Sequence, residues 1–75
     1  MQVDHRRDAP PRSALDAEEI ELLRVLSTGV PWSVVAHRLH MSERTAHRRT
    51  RQICESVGVG KPIEAVVWAI RHGFI

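Results

Sequence analysis

Four stretches of this chain carry apolar residues at helical spacing, separated by polar and turn-forming residues. The first, "LDAEEIELLRVLSTG", predicts a helix from about Asp16 to Thr28, with Ile20, Leu22, Leu23, Val25 and Leu26 as a broad inner face. Asp16 is a good N-cap, and Glu19 stands three residues on, where a capping box needs it. Leu15 and Ile20 occupy the positions of a hydrophobic staple, and Gly29 is placed to end the helix. The second helix is short, roughly Trp32 to Leu39, behind Pro31, with Val35, Ala36 and Leu39 inward. Only "HMS" then separates it from the next pattern, which leaves room for nothing but a tight corner between helices. His40 is among the residue types that tolerate a left-handed backbone there.

The third helix starts with Ser42 as N-cap and runs to about Val57, where Gly58 is a stop signal. Ala46, Thr50, Ile53 and Val57 recur at i, i+4, i+7 and i+11 and form its buried edge. Thr50 puts a hydroxyl on that edge, which must bond back to a helix carbonyl or cost stability. Arg44, Arg48, Arg51 and Glu55 repeat the same spacing on another edge, with His47 beside Arg44 and Arg51. The fourth helix is "PIEAVVWAIRH", with Pro62 at its first position and Gly73 near its end. Ile63, Val66, Ala69 and Ile70 are expected to face the core, leaving Val67 and Trp68 on the remaining sides. Residues 1–14, "MQVDHRRDAPPRSA", lack periodicity and are broken by Pro10-Pro11, which reads as a flexible leader or interdomain linker. The expectation is an all-α, four-helix domain over residues 15–75.

Composition supports a small packed domain: 75 residues, 43% apolar, few aromatics. The formal charge of +2 says little, but its distribution says more. Four acids lie between Asp16 and Glu21, whereas residues 37–54 hold five arginines and three histidines against one acid. Such asymmetry suggests a basic face for a polyanion. A single cysteine, Cys54, allows no internal disulfide framework and fits a reducing compartment. No apolar run approaches the ~18 residues of a membrane span, and no signal-peptide core follows Met1, so the expected location is the cytoplasm.

A short helix, a three-residue corner and a second helix with an arginine-rich outer edge make a helix-turn-helix arrangement, in which the second helix enters the major groove. Arginine suits that edge because its planar fork pairs bidentately with guanine or with phosphate. His47 can donate or accept at a base edge, and the N-terminus of the third helix offers backbone N–H groups to a phosphate.

The stretches "LDAEEIELLRVLSTGV", "VAHRLHMSERTAHR", "VGV" and "EAVVWAIRHGFI" resemble the LuxR-type (GerE-like) helix-turn-helix domain, and the resemblance spans Leu15 to Ile75. It implies a four-helix domain of the winged-helix-like superfamily, without a wing. Such domains are the DNA-binding parts of bacterial transcription regulators, often response regulators or ligand-sensing regulators. The resemblance also implies binding to double-stranded DNA as a homodimer through the fourth helix. Carried over position by position, His47, Arg48 and Arg51 match residues that meet bases or nearby phosphates. Arg44 matches a phosphate contact, and Thr45 a threonine close to the DNA backbone. Val67, Trp68 and Arg71 match the dimerising face. The chain also departs from the family: Val34 stands where a glutamate is usual, Pro31-Trp32 replaces a Ser/Thr-type cap, and Arg48-Arg49 make the third helix more cationic.

Other readings weigh against these. For Arg49, between the two faces of its helix, a phosphate contact and a plain surface role stand equal. Trp68 is either a half-buried core residue or a dimer contact, and Trp32 reads as helix-start packing before DNA contact. His37, His40, His47 and Cys54 match no zinc spacing, so no metal is expected. Without a glycine-rich phosphate loop, a carboxylate pair or a base partner for Cys54, neither enzymatic activity nor a cofactor is expected. The alternative function is a protein-interaction module docking on RNA polymerase, a sigma factor or another regulator, motivated by apolar Val34 and Pro31-Trp32 on the second helix.

Overall fold

The structure, a computed structural model, describes residues 15–75. The leader expected over residues 1–14 lies outside the described residues. Among the described residues the chain is all-helical: α1 (Ala17–Leu26), α2 (Trp32–Arg38), α3 (Glu43–Val57) and α4 (Pro62–Arg71), with no strand.

Each boundary has a local cause. The Asp16 side chain accepts from the Glu19 N–H at 2.8 Å, and the Glu19 carboxylate accepts from the Asp16 N–H at 2.9 Å, so the capping box is complete. Leu15 is buried in front of it, with Ile20 partly buried against the same core. The helix ends at Leu26, short of the Thr28 that periodicity suggested. There the Ser27 and Thr28 hydroxyls donate to the Arg24 and Val25 carbonyls at 2.6 Å each and draw the chain into a turn.

The corner after α2 is a Schellman closure. The His40 N–H donates to the His37 carbonyl at 3.2 Å, and the Met41 N–H reaches back to Ala36 at 3.0 Å. His40 holds the left-handed position with φ 57°, as its residue type allowed. Ser42 then caps α3 by accepting from the Thr45 N–H at 3.0 Å.

The long α3 packs against all three other helices, which makes it the axis of the domain. Its inner edge is Ala46, Thr50, Ile53 and Cys54, all buried, with Val57 half-buried. Across from it stand Leu22 and Leu23 of α1, Val35 of α2 and Ala65 and Ala69 of α4, also buried. Burying side chains such as Leu22, Leu23 and Ile53 contributes about 1.5–3 kcal/mol each. Thr50, 1% exposed, is the single buried polar side chain among the described residues. Its hydroxyl donates to the Ala46 carbonyl at 2.8 Å, the return bond its position required.

The fourth helix departs from its expected register. Ala65, Val66 and Ala69 face inward, whereas Ile63 is 63% exposed and Ile70 54%. The physical reason is that α4 lies on α1 and α3 along one side only, and two alanines there permit close approach. Ile63 and Ile70, a heptad apart, fall on the opposite side with Val67. After α4, Gly73 at φ 79° allows the Phe74 N–H to reach the Ala69 carbonyl at 2.8 Å. That turn carries the Phe74 ring to 5.5 Å from Trp68, nearly parallel to it.

Candidate nucleic-acid interface

Helical spacing puts Arg44, Arg48 and Arg51 on one edge of α3, and all three are exposed. Among the described residues none of them takes part in an ion pair; the two pairs present are Arg24–Glu21 and Arg49–Glu18. Among the described residues, a row of guanidiniums without ion-pair partners therefore runs along the helix, with Glu43 at its start and Glu55 at its far end. No buried charge and no rearrangement of the core is needed to present it.

Arg49 behaves differently. Its guanidinium donates to Glu18 of α1 at 2.9 Å, which draws the side chain toward the first helix and away from the Arg44–Arg48–Arg51 row. The structure thus groups Arg44, His47, Arg48 and Arg51 and sets Arg49 apart. Thr45 is half-buried; its backbone N–H and its hydroxyl are both engaged with Ser42, at 3.0 Å in each case. It serves the start of α3 first, and any contact to a DNA backbone would come second.

His47 has an unexpected partner. Its imidazole stacks on the Trp32 indole with ring centroids 3.9 Å apart and planes 29° apart. The two residues belong to different helices and meet because the corner folds the start of α2 over the flank of α3. Sequence spacing carries no sign of this pair; only the tightness of the corner hinted that the two helices were close. Beside the stack lies a cleft of about 190 Å³ bounded by Trp32, His47, Thr50, Arg51, Cys54 and Pro62. Both Trp32 and Val34 are half-buried, so α2 exposes little of the apolar surface expected of it.

Among the described residues the exposed large apolar side chains are instead Ile63, Val67 and Ile70, all on the outer side of α4. Arg71 is exposed beside them, while Trp68 is half-buried between His72, at 4.3 Å, and Phe74. A groove of about 460 Å³ runs along this surface, lined by Val59, Ile63, Glu64, Val67, Trp68 and Arg71 among others. Trp68 thus covers its own core and also lines the outer groove.

Cys54 is buried, and burial pushes its thiol above the ordinary 9.0, with the Glu64 and Glu55 charges adding to the rise. It is a protonated packing residue at neutral pH. Among the described residues no three His, Cys, Asp or Glu side chains come together as a metal site, and no helix is long and apolar enough to cross a membrane. No protein-family model, curated protein or solved structure matches the chain.

Proposed function

We propose that residues 15–75 are a helix-turn-helix DNA-binding domain of the LuxR (GerE-like) type, the DNA-reading part of a bacterial transcription regulator. The observation that carries this reading is the exposed Arg44–Arg48–Arg51 row, without an acidic partner among the described residues, on the helix that follows a tight corner. A helix with its side chains is ~10–12 Å across, and the major groove is ~12 Å wide. Inserted there, Arg48 and His47 meet base edges and Arg44 and Arg51 meet bases or flanking phosphates. Dimerisation through α4 follows from its outer stripe, since Ile63, Val67 and Ile70 form a row that a second copy would cover. Glu64 and Arg71 flank that row, and antiparallel pairing about Val67 brings opposite charges across from each other. Such a dimer reads two half-sites ~10 base pairs apart, or a multiple of that.

Selection of bound sequences from a random duplex pool tests the reading. Enrichment of a defined site is expected, with affinity falling steeply as salt rises because phosphate contacts release counterions. Replacing His47, Arg48 and Arg51 together by alanine should abolish site choice. Undiminished binding by that triple variant would show that α3 is not the reader. The second reading, a module that docks on RNA polymerase or another regulator, draws on the same α4 stripe. It is favoured if the domain fails to shift random duplex even at low salt.

A further inference from the structure

The stack between Trp32 and His47 is not used by the helix-turn-helix reading, and it is where the chain departs most from a polar, DNA-facing second helix. An exposed histidine on a helix ordinarily samples several rotamers, and each must be given up when its ring meets a base. Here one face of the imidazole is covered at 3.9 Å by an indole that is itself half-buried at the start of α2. Pro31, with φ −62° and an extended ψ, fixes the backbone just ahead of that indole. With one face held against the indole, the plane of the ring is fixed, and its edge, which carries both nitrogens, is held in one direction. An imidazole has an N–H donor in either tautomer and when protonated. The acceptor it suits in the major groove is the N7 of a purine, with O6 beside it when the base is guanine.

We propose that Trp32 is a specificity-determining positioning residue: by stacking on His47 it aims the imidazole edge at one purine of the DNA site. The inference rests on the reading that α3 enters the major groove. Trp32 itself touches no base; it acts through His47. Arg44, Arg48 and Arg51 supply the electrostatic attraction and their own base or phosphate contacts, and the Trp32–His47 unit supplies choice at one further position.

The test uses the site selected by the wild-type chain and a random duplex as paired probes. Trp32→Leu and His47→Ala are each expected to lower preference for the site by about tenfold, within the range of one base-edge contact. Far-UV circular dichroism reports that both variants are folded, and Trp32→Leu, which removes no group that touches DNA, should keep its affinity for random duplex. The double variant should lose no more than either single one, since both remove the same contact. Trp32→Phe, which keeps an aromatic face, should restore preference. His47→Phe, which keeps a stack but removes the nitrogens, should not. His47→Ala and Trp32→Leu should relax the selected sequence at one and the same base pair of each half-site. Wild-type preference in Trp32→Leu, losses that multiply in the double variant, preference retained by His47→Phe, or relaxation spread over the whole site would each overturn the inference while leaving DNA binding intact. Should Trp32→Leu fail to fold, the His47 pair and Trp32→Phe still decide it. A wild-type chain that binds no duplex at all overturns the DNA reading first, and the role of Trp32 with it.

Discussion

At the scale of single residues, Thr50 is the clearest test of how the core tolerates polarity. Its hydroxyl is satisfied by the Ala46 carbonyl, but that carbonyl also has its helical N–H partner and does not need a second donor. Thr50→Val should therefore leave no buried group unsatisfied and raise stability by about 0.5–1 kcal/mol, read as a higher urea midpoint at constant m-value. Cys54 makes a prediction about pH. Burial, then the nearby Glu64 and Glu55 charges, raise its thiol above 9.0 in the folded chain. The unfolded chain therefore loses that proton first as pH rises, so the stabilising contribution is complete below about pH 9 and is lost as pH climbs through the folded value. Urea midpoints compared across that window should fall more in the wild type than in Cys54→Ala. At neutral pH the native thiol should resist alkylation until the chain is unfolded. These residues were partly legible beforehand: the helical period put Thr50 inside, and nothing in the spacing named Cys54 as its buried neighbour.

Among the elements, α3 carries the functional argument because its cations divide into two groups. Arg48 stands free of acids among the described residues, while Arg49 is bonded to Glu18 across the α1–α3 packing. That bridge is exposed, its side chains 41% and 78% accessible, and surface pairs of this kind contribute ~0–1 kcal/mol. Arg48→Ala is therefore expected to cost ~1–3 kcal/mol in specific DNA binding, and Arg49→Ala clearly less, by fluorescence anisotropy at fixed salt. Equal losses would mean that Arg49 leaves Glu18 on binding. The start of α3, the corner and the left-handed His40 were all legible because each rests on neighbours within six residues. The Arg49–Glu18 pair was not, since its partners are 31 residues apart.

For the molecule as a whole, the outer side of α4 is the consequential surface. Ile63, Val67 and Ile70 expose apolar area that a monomer has no use for, and the proposed homodimer covers it. Val67→Glu should shift sedimentation toward the monomer and weaken binding to a two-half-site duplex, while leaving the far-UV helical signal unchanged. Val67 is 39% exposed, so the substitution adds charge at the surface and removes little from the core. An unaltered sedimentation profile would mean that the stripe is not a self-association surface, and would favour its use by a different protein.

Capping boxes, stop signals and the 3.6-residue period are written in consecutive residues, so the four helices, their approximate limits and the arginine row of α3 were determined by the sequence itself. Orientation about the helix axis was determined only where one apolar stripe stood alone, as on α3. On α4 apolar residues occur on most sides, and the period there does not choose between Ile63–Ile70 and Ala65–Val66–Ala69. Packing against α1 and α3 chose the small residues, because alanines let the helices approach most closely. The Trp32–His47 stack and the Arg49–Glu18 bridge were likewise decided by tertiary structure, since each joins residues that meet only after the helices have folded against one another.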